Sequence, residues 1–342
     1  MHMSDALLSP VTGAAFWTIS AGTIAFSAKK INSESDGSKT VLMGVLGAFV
    51  FAAQMINFTI PGTGSSGHIG GGMLLTVLLG PWRAFITLAS VLTIQSLFFA
   101  DGGLLALGCN IFNLAFIPAF IVWPFIWRPL AGEGCSPSRL APASILAVTI
   151  SLLLGAFSVV LQTTLSGVSD LPFGTFVLFM LPIHAAIGFV EGILTWGVLS
   201  FIQQTEPVLL DTLKAPASKK AGLVTPLLFV AAMLTGGTLS WFASTSPDGL
   251  EWSIAKVTGR EELTSPTETT YDMLASLQKK LAILPDYDFR HSEMPSGNAG
   301  TPTTPVNAGT SLSGIAGSLM VLLLAGGTGF LMRQRSPTEL KS

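Results

Sequence analysis

Two of the four histidines in this 342-residue chain stand where they could do chemistry. His2 directly follows the first residue in "MHMSDALLSP", and His68 sits among glycines in "GTGSSGHIGGG". The amine of Met1 and the amide nitrogen of His2 would close a five-membered chelate on a metal. The same amide and the His2 Nδ1 would close a six-membered one. Three nitrogens then lie in a plane with one corner open, and the His68 imidazole could fill it. Planar nitrogen coordination suits Ni(II) or Cu(II). It needs a deprotonated amide, so binding should release protons and weaken in acid. The bland alternatives stay open: a histidine at an exposed chain end is ordinarily inert, and His68 could simply donate to a backbone carbonyl.

Other polar residues interrupt apolar runs. "HAAIGFVEG" puts His184, Gly188 and Glu191 on one helical stripe. Ionisable groups in apolar spans need a partner or a wet pocket, so His184 and Glu191 either couple to the metal site or fix helix packing. "FFADGGLLALGCNIFN" carries Asp101, Asn110 and Asn113. Asp101 could cap a helix or hold a ligand imidazole by its other nitrogen. Gly62 and Gly67 have phosphate-loop spacing, but His68 and Ile69 replace the lysine and hydroxyl residue that loop requires. Gly44, Ala48 and Ala52 form a small-residue stripe that permits close helix contact, within the bundle or with another subunit. Cys109 and Cys135 make no metal-thiolate pattern. No Walker lysine loop, Ser/His/Asp set or HExxH is present, so uphill transport would draw energy from a partner or an ion gradient.

These residues must be positioned by membrane helices. Half the chain (49%) is hydrophobic and only 11% is charged, where a soluble domain carries about 25% charged residues. Net charge is −2, which gives no sign of a nucleic-acid partner. Apolar stretches fall at about 11–28, 41–58, 69–80, 84–100, 104–126, 140–165, 173–202, 223–243 and 310–332. With the N-terminus outside, twelve of the seventeen Lys and Arg face the cytoplasm: Lys29, Lys30, Lys39, Arg83, Arg128, Arg139, Lys214, Lys219, Lys220, Arg333, Arg335 and Lys341. The other five share one long loop, and long loops translocate largely regardless of charge. That topology puts His2 and His68 on the same outer face. The start "MHM" lacks a basic leader and cleavage site, so Met1 is expected as the mature start.

The expected fold is therefore all-α and polytopic. Residues 1–205 form a seven-helix bundle and 206–222 a cytoplasmic linker. Residues 223–335 form two further spans around an extracytoplasmic loop, 244–309, rich in Pro, Gly, Ser and Thr. Within that loop "YDMLASLQKKLAIL" has the spacing of a short amphipathic helix. The third span is short and glycine-started, and is expected as a helix facing a cavity.

"MHMSDALLSP", "FAAQMINFTIPGTGSSGHIGGG", "LLGPWRAF", "QSLFFADGGLLALGCNIFN" and "HAAIGFVEG" together resemble the substrate-binding (S) component of energy-coupling-factor cobalt and nickel transporters, the CbiM/NikM family. "SPDGLEWS" with its flanking spans resembles the PDGLE module found separate or fused in such systems. The family usually reads Ile-Pro where this chain has Met3 and Ser4, and Gly where it has Ala6, while the ligand residues are intact. The resemblance implies a metal held by Met1, His2 and His68, with Ni(II) or Co(II) as transported substrate and no permanently bound cofactor. It implies a prokaryotic plasma-membrane location among lipid, and no enzyme activity of the chain's own. Its partners would be a transmembrane coupling component and two cytoplasmic ATPases. Gly44, Ala48 and Ala52 become a candidate contact with that coupling component. It implies delivery of cobalt for cobalamin synthesis or nickel for metalloenzymes. The alternative is a self-sufficient, proton-coupled transporter with His184 and Glu191 as relay.

Overall fold

The structure is a computed structural model that describes residues 2–32, 38–132, 135–210, 222–289 and 307–332. Met1, the linker residues Lys214, Lys219 and Lys220, and Arg333, Arg335 and Lys341 lie outside the described residues. The chain is mostly helical. Helices α1 (Pro10–Asn32), α5 (Leu107–Ala131), α6 (Pro137–Ser166), α7 (Phe173–Thr205) and α11 (Ala308–Leu331) are long and apolar enough to cross a membrane. Shorter apolar helices are α2 (Ser38–Gln54), α4 (Pro81–Phe98) and α8 (Val224–Gly237). Large apolar side chains such as Val11, Phe125 and Leu165 stay exposed on the outer faces, as a lipid-facing belt requires.

Local sequence sets the helix ends. Pro137 occupies the first turn of α6, where its missing N–H costs nothing, and Gly167 closes that helix in the left-handed region. Gly80, at φ 78°, ends α3 (Gly72–Leu79) and Pro81 at once begins α4. From Phe112 to Trp127, α5 widens to π-type winding around Pro118 and Pro124.

The stretch 69–80 forms the short, glycine-started helix expected of it: α3 has eight residues, all buried, and its start lines a small cavity. One expectation changes: the fold is not purely helical. Strands β1 (Phe58–Ile60) and β2 (Ser65–Gly67) pair antiparallel, Phe58 opposite Gly67, and deliver His68 at their end.

The long loop is built, not featureless. Helices α9 (Gly249–Thr258) and α10 (Thr269–Leu281) occupy its described part, α10 where amphipathic spacing placed it. The loop bonds to the bundle at its start and near its middle. Ser66 N–H donates to the Pro247 carbonyl (2.8 Å), and the Tyr271 hydroxyl donates to the Leu8 carbonyl (2.7 Å).

The small-residue stripe is covered by this chain's own helices, which corrects the expectation of a coupling-subunit contact there. Ala48 and Ala52 are fully buried with Ala232 of α8. Ser318 of α11 donates to the Ala48 carbonyl at 3.4 Å. A Cβ on Gly44 would lie 2.8 Å from the Leu322 carbonyl oxygen. Backbone cannot yield there, so Gly44→Leu should destabilise the protein by about 1–3 kcal/mol. Thermal unfolding in detergent measures this, and an unchanged midpoint would mean that the face is open.

Candidate metal centre

The N-terminal segment enters the bundle because its backbone is paired. Asn110 on α5 accepts from Met3 N–H (2.8 Å) and donates to the Met3 carbonyl (3.2 Å). Gly103 N–H reaches the same carbonyl (3.0 Å), and Ala106 N–H donates to Asp5 Oδ1 (3.0 Å). Asn113 touches the Met3 sulfur and exchanges two hydrogen bonds with Gln162. Gly102 stands at φ 81° directly against this clamp; a Cβ there would come within 2.9 Å of the Asn110 amide nitrogen.

His68 is positioned by a second set of groups. After β2 the chain runs through three glycines whose buried main chain needs partners. Glu191 on α7 accepts from both Gly70 N–H and Gly71 N–H at 2.9 Å. Gln54 donates to the Gly70 carbonyl (2.9 Å), and Gln95 donates to Gln54 (2.8 Å). Gly71 is at φ 75°, which lets adjacent N–H groups converge on one carboxylate.

The two histidines meet. Their rings stack 5.2 Å apart and 11° from parallel. His2 Nδ1 lies 2.9 Å from Asp101 Oδ1, and the His2 side chain is only 8% exposed. His2 Nε2 is buried with no hydrogen-bond partner. Tyr287 donates to the other oxygen of Asp101 at 2.5 Å. Burial alone would raise the Asp101 pKa, yet the His2 contact and the Tyr287 hydroxyl hold it well below the usual carboxylate range. Burial, with His2 beside it adding, pushes His68 down from 6.5 to about 3, so its imidazole is neutral.

His184 closes the inner side. Its Nδ1 pairs with the Met180 carbonyl (2.8 Å), which leaves the lone pair on Nε2. A cavity of about 10 Å³, room for one water-sized body, lies between His68, His184, Leu114, Leu152 and Asp248. Asp248 caps α9 through Leu250 N–H (2.7 Å) and Glu251 N–H (2.9 Å), and Glu251 returns a bond to Asp248 N–H. Asp248 is held well below the usual carboxylate range although burial opposes this. Among the described residues, no three His, Cys, Asp or Glu side chains are grouped as a metal cage; side chains supply two imidazoles.

The structure thus brings His2, His68, Asp101, Asn110, Asn113, His184 and Glu191 around one region, and puts Gly44, Ala48 and Ala52 elsewhere. Met1 lies outside the described residues. Gln54, Gln95, Gln162, Asp248 and Tyr287 belong to the region and were not singled out by sequence. The three glutamines carried a usable signal, since each interrupts an apolar run.

Residues 2–209 match the family described as cobalt uptake substrate-specific transmembrane region, and residues 223–334 match the PDGLE domain. A candidate fused nickel transport protein, NikMN, of Archaeoglobus fulgidus is 30% identical over 330 residues, covering 95% of this chain and 96% of its own. The fused nickel transport protein NikMN of Rhodobacter capsulatus is 31% identical over 238 residues, covering 65% of this chain and 67% of its own. A crystal structure of a truncated transition metal transporter superposes with a TM-score of 0.53 at 29% identity, over 60% of this chain and 99% of that one.

The depressed His68 value sets a pH dependence. Between about 3 and 6.5 the unfolded chain binds a proton at His68 that the native protein does not. Stability of the metal-free protein should therefore be complete above 6.5 and fall as pH drops toward 3. His68→Gln should flatten that slope in melting curves. Parallel curves for the two proteins would refute a neutral imidazole at His68.

Proposed function

The chain belongs to the CbiM family of cobalt-uptake substrate-specific transmembrane proteins, with a PDGLE domain fused to it, and from that membership we propose that it captures Ni(II) or Co(II) at the outer membrane face with high affinity. It is a multi-pass membrane component of metal uptake, not an enzyme. In our reading the ion is held by the Met1 amine, the His2 amide, the His2 imidazole and the His68 imidazole. The observation that carries this is the pairing of His2 and His68, two rings 66 residues apart in sequence and 5.2 Å apart in space.

The finer organisation follows the same reading. Residues 1–205 are the metal-binding S-component bundle, 206–222 the cytoplasmic linker and 223–335 the PDGLE module. The N-terminus is extracytoplasmic and the C-terminus cytoplasmic. A coupling component and two ATPases supply the energy. Planar nitrogen donors favour nickel over cobalt by affinity order, and of the fused relatives named above the Rhodobacter one is a nickel transport protein and the Archaeoglobus one a candidate for that role. Glu191 is committed to two main-chain N–H groups and His184 to a carbonyl. Those bonds support positioning roles and weigh against a proton relay.

Blocking the amino group tests the reading. Nickel titration of protein acetylated at Met1, or extended before it, should show affinity reduced by more than the about 10–100-fold typical of losing a supporting partner. His68→Ala should lose affinity likewise, with thermal unfolding reporting that the fold persists. Unaltered nickel binding by the blocked protein would sink the proposal.

A further inference from the structure

The loop bonds of Glu191 leave part of its carboxylate unused. Each oxygen accepts one main-chain N–H, from Gly70 and Gly71. An ionised carboxylate offers about four lone-pair positions, so further acceptor capacity remains. The side chain is 2% exposed and, among the described residues, makes no ion pair. A buried charge without a counter-charge is costly, and an ionisable residue in an apolar span points to function. Ser151 on α6 is a second incompletely used group. It is 7% exposed, and among the described residues its hydroxyl makes no hydrogen bond. Ser144, on the same helix, shows the ordinary solution by donating to the Leu140 carbonyl one turn back (2.7 Å). Ser151 does not take it.

Both groups line one cavity of about 10 Å³, with Met73 and Asn113 in its wall. Asn113 is committed to Gln162. This cavity shares Gly70, Leu114 and Leu152 with the one beside His68 and His184. The two therefore lie in series, leading inward from His68. Gly70 stands at their junction. A Cβ there would lie 3.4 Å from Glu191 Oε2 and 3.7 Å from Leu152 Cδ2, so the missing side chain leaves that junction unfilled. A water bridging Ser151 and Glu191 would satisfy the hydroxyl. It would leave the carboxylate without a counter-charge, whereas a cation satisfies both groups.

We propose that this inner cavity is a second, weaker site for the transported divalent cation, which Glu191 and Ser151 hold after it leaves the outer nitrogens. The inference rests on the metal-site reading above. Imidazole suits nickel better than carboxylate and hydroxyl oxygens do, so the inner site is the weaker one. That order suits passage, since a site on a route must also let the ion go.

The experiment titrates untagged full-length protein in detergent with Ni(II) alone, and measures nickel uptake by cells carrying the same variants. Wild type should show one tight and one weak binding event. Ser151→Ala should weaken the second by about 10-fold. Ser151→Val, which also fills the cavity, should abolish it. Both should keep the tight event and the melting temperature, and both should lower uptake. Acetylation at Met1 should remove the tight event and spare the weak one. A single event in wild type would leave the cavity to water and overturn the inference. So would a weak event that both Ser151 variants retain, which would place it elsewhere on the protein. Full uptake by Ser151→Val with the weak event gone would put the site off the route and overturn it too. A tight event that survives acetylation would instead overturn the outer-site reading, which separates the two failures.

Discussion

A chain end can serve as a ligand only if it is immobilised. Free termini fray, and ordering a residue costs about 1–2 kcal/mol of backbone entropy. Here Asn110 meets that cost with two hydrogen bonds to the Met3 main chain. Met3, Leu7 and Leu8 then bury completely or nearly so, and the Leu8 carbonyl is capped by Tyr271. His2 is consequently held within reach of a loop far along the sequence. Glu191 does for that loop what Asn110 does for the terminus. Both place a polar side chain of a long helix against main chain that has no helical or sheet partner of its own.

The fused module completes this arrangement from outside. Its Ser246–Pro247 carbonyls receive Ser66, its Trp252 indole donates to the Thr63 carbonyl, and its Gln278 donates to the carbonyls of Ser96 and Gly102. The hairpin bearing His68 and the turn bearing Asp101 are thus each braced by residues of 244–289. Helices α8 and α11 fasten the module to α2 through the small-residue stripe. Both units therefore shape the surroundings of His2 and His68.

Much of this was legible from residue type and spacing. His2, His68 and Glu191 stood out because each is a polar group with an evident need: a chelate partner, a common face, an acceptor role in an apolar span. Asn110 and Asn113 stood out for the same reason, but their partner, the Met3 main chain, depends on the path of the terminus and could not be read. The Gly44 stripe announced a close contact without naming who makes it, and the helix that does lies some 270 residues away. The β1–β2 hairpin was invisible because its strands are three residues each, too short for an alternation signal. Tyr287 was invisible for another reason: its left-handed backbone is stabilised only by long-range bonds.

X-ray absorption of nickel-loaded full-length protein tests the central claim most directly, because it reports donor type, number and geometry at the ion. Four nitrogen donors in a plane, with multiple scattering from two imidazole rings, is the predicted result. A six-coordinate spectrum dominated by oxygen would place the ion on carboxylates or water and contradict the account.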